Sequence, residues 1–222
     1  MLSASAPGTV GQPRILITGF DPFGGQPVNP SWLAVQALHG RELDGHRIVA
    51  AQLPTAFGRS LHLLQELLGQ HRPALVVCTG QAGGRAAISL ERVAINVNDA
   101  RIPDNTGAQP IDTPVIAGGP AAYFTGLPIK AMLASMLAAG IRAEVSQTAG
   151  TFVCNHVFYG LMHTLADSRW AGTRGGLVHV PWLPQQGAPS MTLEQLALGL
   201  EVGLGCALRT HTDVRLQAGA LS

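Results

Sequence analysis

The feature that most limits this chain is a series of short apolar runs, each bounded by turn residues and followed by a helical pattern. Arg14-Ile-Leu-Ile-Thr-Gly19 and Ala74 to Thr79 are too short for helices and almost wholly apolar, the pattern of strands buried on both faces. His46 to Leu53 reads as a further strand between them. Asn29-Pro-Ser31 opens a helix through Trp32 to Leu38, and Phe57 to Leu68 has the apolar spacing of an amphipathic helix. Strands alternating with helices in this way assemble into an α/β fold, a mainly parallel sheet with helices on both faces. In such sheets the loops leaving the strand C-termini form the ligand crevice. Two glycine-rich loops, Phe20-Asp-Pro-Phe-Gly-Gly25 and Thr79-Gly-Gln-Ala-Gly-Gly84, fall at that edge.

Further along, Ile88 to Val97 alternates as one strand would, placing Glu91 on a face with Val93, Ile95 and Val97. Residues Asn98 to Ala117 have little periodicity and form a long loop, either a lid over the crevice or a subunit contact. Leu127 to Ala139 is helical and ends at Gly140, and Ala143 to Gln147 is a short strand. Gly176 to Trp182 is another strand, stopped by Pro181, and Thr192 caps a last helix to Leu208. With 222 residues and no repeat or linker, residues 14–222 form one domain, and 1–13 form a disordered tail.

A formal net charge of +1 leaves no basic stripe for nucleic acid and no acidic tail. No run of 18 apolar residues is present, so no membrane span is expected. Charged residues are only 12% of the chain, against about 25% in ordinary globular proteins. That apolar surplus points to a homo-oligomer, a tetramer or dimer, although unusually complete burial within one subunit would look the same in sequence. Three cysteines at wide spacings, without a C-x-x-C pair, fit a reducing, cytoplasmic setting. Cys78 and Cys206 lie in apolar runs and read as structural.

Cys154 differs from them because Ser146-Gln-Thr-Ala-Gly-Thr-Phe-Val-Cys-Asn-His156 takes a strand into a helix. A thiol in or beside a first helical turn meets unpaired backbone N–H groups that favour thiolate. The competing reading is an inert, buried cysteine. His179 is the one histidine in an otherwise apolar strand, near the same sheet edge; it is a general base or a core histidine bonded to backbone. Glu91, on an apolar face, needs a partner, either a catalytic histidine or one of Arg85, Arg92 and Arg101. Together Cys154, His179 and Glu91 are the parts of a nucleophile, a base and an orienting carboxylate. The phenylalanines Phe20 and Phe23 either plug the core or line a pocket. Neither glycine-rich loop has a phosphate-binding pattern, which weighs against a nucleoside- or phosphate-handling enzyme. A catalytically silent interaction protein of the same fold is the other alternative.

These residues also resemble a family, the pyroglutamyl peptidases of type I. Thr18-Gly-Phe-Asp-Pro-Phe-Gly-Gly25 with Asn29-Pro-Ser31 is similar to the family's opening. Gly80-Gln-Ala-Gly-Gly-Arg85, running into Ser89-Leu-Glu-Arg-Val-Ala-Ile-Asn96, is similar to its glutamate signature. Ala149-Gly-Thr-Phe-Val-Cys-Asn155 resembles its cysteine signature, and Val178-His-Val180 through Leu183-Pro184 its histidine segment. The resemblance spans roughly Arg14 to Leu208. It implies a three-layer α/β/α sandwich around a mainly parallel or mixed twisted sheet. It also implies a cysteine peptidase without metal or cofactor, acting on peptides with an N-terminal pyroglutamate through Glu91, Cys154 and His179. Phe20, Phe23, Phe152 and Val153 would surround the substrate ring, Gln81 would bond its polar groups, and Arg101 would assist the oxyanion.

Overall fold

The computed structural model describes residues 12–219. Strand β1 (Arg14–Phe20) leads into α1 (Pro30–Gln36), and a small hairpin of β2 (Glu42–Leu43) and β3 (His46–Leu53) precedes α2 (Arg59–His71). There follow β4 (Leu75–Gln81), β5 (Ile88–Glu91), β6 (Val93–Ile95), β7 (Ala122–Phe124), α3 (Ile129–Ala138) and β8 (Ala143–Ser146). The chain ends with α4 (Val153–Leu165), a 3-10 turn (Ser168–Trp170), β9 (Arg174–Val180) and α5 (Leu193–Arg209). The main sheet has seven strands in the order β2-β3-β1-β4-β9-β5-β8, and β6 pairs with β7 in a separate ribbon.

The sheet is mixed. Strands β3, β1, β4 and β9 run parallel, β5 opposes β9, and β8 runs parallel to β5. One apolar layer packs Ile15, Ile17, Val77 and Val178 against Val35, Met132 and Leu200 of α1, α3 and α5. On the opposite face Leu16, Val76 and Leu177 pack against Leu64 and Leu68 of α2 and Val157 and Leu161 of α4. Each such fully buried aliphatic side chain is worth about 1.5–3 kcal/mol relative to exposure. Two cores, one per face, make the three-layer sandwich.

The helices begin where their polar entries permit. Asn29 accepts from the Ser31 amide at the start of α1, and Thr192 and Gln195 form a reciprocal capping box on α5. Proline is the N-cap residue of α3, and Asp213, from far along the chain, accepts from the Lys130 and Ala131 amides instead.

Two expectations need correction. The run Ile88 to Val97 is not one strand: the chain leaves the sheet at Arg92, whose N–H goes to Ser146 and whose carbonyl takes Thr125. Asn155 of α4 then claims the Ile95 N–H and the Ile95 and Val97 carbonyls, so Val93–Ile95 pairs elsewhere, and all of β5, Glu91 included, is buried. The tail expected over 1–13 is already ordered at its end, where Gln12 donates to Glu42 and Pro13 accepts from Arg47; residues 1–11 lie outside the described residues. The long loop has little periodicity, as expected, and side chains pin it in place. The Asp104 carboxylate accepts from the Phe57, Thr106 and Ala108 amides and the Thr106 hydroxyl, and Asn105 bonds Thr55, Asp21 and Pro22. Although burial opposes ionisation, those bonds hold Asp104 below the usual carboxylate range. Among the described residues no helix is long and apolar enough to cross a membrane.

Candidate active site

A sharp turn carries the thiol to the edge of the sheet. After β8 the Ser146 hydroxyl donates to the Thr148 carbonyl, and the Thr148 hydroxyl accepts from Gly150. Gly150 adopts φ of 75°, a conformation that glycine enters without the Cβ penalty. Helix α4 starts at Val153, which places Cys154 within the first turn. No side chain caps this helix. Its first N–H groups and the positive end of its dipole are therefore available to an anion beside Cys154.

Strand pairing brings the other two residues to the thiol. His179 lies on β9 between Gly80 of β4 and Ser89 of β5, on the sheet face that α4 covers. Glu91 is one pleat beyond Ser89 and reaches back so that its Oε1 lies 2.7 Å from His179 Nδ1. A Cβ placed on Gly80 would lie 2.5 Å from Cys154 Sγ and 3.2 Å from His179 Nε2. The thiol and the imidazole thus meet over a glycine. Burial alone would lower the His179 pKa; the Cys154 sulfur near its ring and the Glu91 carboxylate on Nδ1 more than reverse this, raising it to about 9. Glu91 is fully buried, which opposes ionisation, yet its bond to His179 and the nearby Arg85 charge hold it below the usual range.

The competing readings of Glu91 are both realised. Arg85 Nη1 lies 2.6 Å from the same Oε1 that faces His179. Arg92 instead bonds Gln147, and Arg101 is exposed, with no side-chain hydrogen bond among the described residues. Cys78 and Cys206 are buried, and desolvation pushes the Cys78 thiol up to about 12, where it stays protonated.

The pocket candidates divide by exposure. Phe23 and Phe152 are half-buried, with ring centroids 5.9 Å apart, and form an aromatic wall. Phe20 is 1% exposed and packs in the core between the sheet and α4, so it plugs rather than lines. Val153 is also wholly buried. The Gln81 carboxamide oxygen is held by Gln186 Nε2 at 3.3 Å, beside Gln26 and Val28.

Sequence reasoning gave Phe57 no place in the site and set His156 aside for its spacing of two residues from Cys154. Phe57 meets both Phe152 and His156 edge-on, each at 5.4 Å. His156 Nε2 accepts from the Gly58 amide, which leaves Nδ1 to donate to Asn98 Oδ1. Burial lowers its pKa to about 4, so the ring is neutral and fixed in one tautomer. That spacing does turn His156 away from the thiol and toward α2.

Residues 13–210 match the family model described as pyroglutamyl peptidase. A pyrrolidone-carboxylate peptidase of Cupriavidus taiwanensis is 58% identical over 214 residues, covering 94% of this chain and 99% of that protein. Among solved structures, pyroglutamyl peptidase I of Bacillus amyloliquefaciens superposes with a TM-score of 0.90 at 47% identity, covering 93% of this chain and all of that one. A pyrrolidone carboxyl peptidase variant from Pyrococcus furiosus gives 0.85 at 36% identity, over 88% and 98% of the two chains.

Proposed function

This chain belongs to the pyroglutamyl peptidase family, and from that membership we propose that it removes N-terminal pyroglutamyl residues from peptides through a Cys154-His179-Glu91 triad. The observation that carries the proposal is the junction over Gly80, where Cys154 Sγ faces an imidazole whose other nitrogen is held 2.7 Å from Glu91.

In the proposed reaction the Cys154 proton passes to His179, whose imidazolium is favoured by the Glu91 carboxylate on Nδ1. The sulfur attacks the pyroglutamyl carbonyl, and the N–H groups at the start of α4 receive the oxyanion. His179 then gives its proton to the departing amine, leaving a thioester. Water, deprotonated by the now neutral His179, hydrolyses that thioester and releases Cys154. Glu91 keeps the proton on Nδ1 and the ring aimed at the sulfur, without being protonated itself. No step is assigned to Arg101.

Specificity follows from the aromatic wall. Phe23, Phe152 and Phe57 offer flat apolar faces suited to a neutral lactam. A free N-terminal ammonium would have to leave water for these faces, at a cost of several kcal/mol, or about a thousandfold in kcat/KM. Purified protein should hydrolyse a fluorogenic pyroglutamyl amide and act poorly on prolyl, glutaminyl and glutamyl amides. Comparable rates on prolyl and pyroglutamyl amides would overturn the reading. The proposal includes a homo-oligomer in the cytoplasm: Ile111 and Phe124, 70% and 73% exposed, are large apolar side chains that a partner subunit would cover.

A further inference from the structure

We infer that Arg85 is a positioning residue of the triad, a guanidinium that balances the buried charge of the site and ties Glu91 to the turn carrying Cys154. This rests on the triad proposed above and adds a fourth member.

The geometry is that of a bridge. Arg85 leaves the glycine-rich loop after β4 and places Nη1 2.6 Å from Glu91 Oε1 and Nη2 3.0 Å from the Thr148 carbonyl. Glu91 ends β5 and Thr148 belongs to the turn before α4, so one planar side chain spans three of the segments that build the site. The guanidinium fork suits this because its two terminal nitrogens diverge in a fixed plane, which a lysine cannot reproduce.

Charge gives the second argument. A thiolate, an imidazolium and a carboxylate together carry one net negative charge, and two of these groups are fully or almost fully buried. A lone surplus charge in such a place relieves itself by taking a proton, either at Glu91 or at the thiolate, and each choice disables the site. Arg85 makes the sum zero. Among the described residues no other cation besides His179 bonds Glu91: Oε1 serves both Arg85 and His179, while Oε2 is buried and has no hydrogen-bond partner there. Ser146 lies near enough to favour the carboxylate, but its hydroxyl proton is directed to the Thr148 carbonyl. With its side chain only 27% exposed, Arg85 is shielded from the solvent that would weaken an open ion pair.

The test is a double-mutant cycle read by kinetics on a pyroglutamyl amide. Arg85→Met should lower kcat about 10- to 100-fold, the effect of losing one hydrogen bond to a charged group, with KM nearly unchanged. Arg85→Lys should recover part of the loss, since it restores the charge without the fork. In the Glu91→Gln background the same Arg85→Met change should cost less than about threefold, because the partner through which it acts has already lost its charge. A full loss persisting in that background, or a rise in KM with kcat intact, would overturn the inference. Melting curves of every variant separate unfolding from these outcomes. If Glu91→Gln alone keeps wild-type kcat, the triad itself falls, a result distinct from failure of the Arg85 cycle.

Discussion

Replacing Gly80 by alanine tests the meeting of thiol and imidazole with a single methyl group. The added carbon would lie 2.5 Å from Cys154 Sγ, 3.1 Å from His179 Cδ2 and 3.2 Å from His179 Nε2. Non-bonded heavy atoms rest about 3.5–4.0 Å apart, so the sulfur must retreat by about 1 Å. It can do so cheaply for the fold, because it is the end of a side chain with one rotatable bond, and Gly80 is not among the glycines with positive φ. Overpacking of this kind costs about 1–3 kcal/mol, and a protein of this size shifts Tm by about 2–4 °C per kcal/mol. That displacement takes the sulfur from its place beside the imidazole, however, and a misplacement of about 1 Å costs about a hundredfold in rate, or about 2.7 kcal/mol of transition-state stabilisation. The expected signature is a folded protein with kcat/KM down about a hundredfold, measured on a fluorogenic pyroglutamyl amide beside a thermal melt. A Gly80→Ala variant with near-native kcat/KM would show that the nucleophile and base do not meet at this residue.

Other variants separate roles that look alike. Phe20→Ala should lose about 3–5 kcal/mol of stability in denaturant melts, as a core cavity does, whereas Phe23→Ala should keep its melt and raise KM; the reverse pairing would refute the division of plug from wall. Cys154→Ser should abolish turnover while circular dichroism stays native, and Cys78→Ser should keep catalysis, which a turnover assay on both will decide. His156 binds its proton less readily when folded, with a pKa near 4 against 6.5 unfolded. The unfolded chain thus takes up more protons between those values, and this contribution, up to about 3 kcal/mol, is complete above pH 6.5 and lost as pH falls toward 4. His156→Gln should flatten stability over that window, and an unchanged acid slope in urea melts would count against it.

How far the sequence carried depended on whether a signal was local. The strands Arg14–Phe20 and Leu75–Gln81 were visible because burial on both faces leaves an apolar run that few other structures share. The helix entry at Asn29 and the cap at Thr192 were visible because capping is chemistry between residues two or three apart. Glu91 was legible only as a buried charge in need of a partner. Choosing between His179 and Arg85 was a false dilemma, since both bond the same oxygen, and nothing in the spacing of residues 85, 91 and 179 could say so. The break at Arg92 was hidden for the same reason. It is imposed by Asn155, some sixty residues away, whose amide competes for the backbone that alternation alone assigned to a strand. Phe20 and Phe23 are alike in type and three residues apart, and only the packing of α4 over the sheet buries one and leaves the other at the surface.

The segment from Ile95 to Asp99 has a further consequence. Asn155 and His156 hold it from one side and Thr151 from the other, through five hydrogen bonds to Ile95, Val97, Asn98 and Asp99 besides the Asp99 amide itself. Residues on both sides of the nucleophile therefore share their bonding with the root of the long loop. In native-state amide exchange the two should open together as a single cooperative unit, with the protected amides of Ile95 and Asp99 exchanging at the rate of early α4 and not at that of a surface loop.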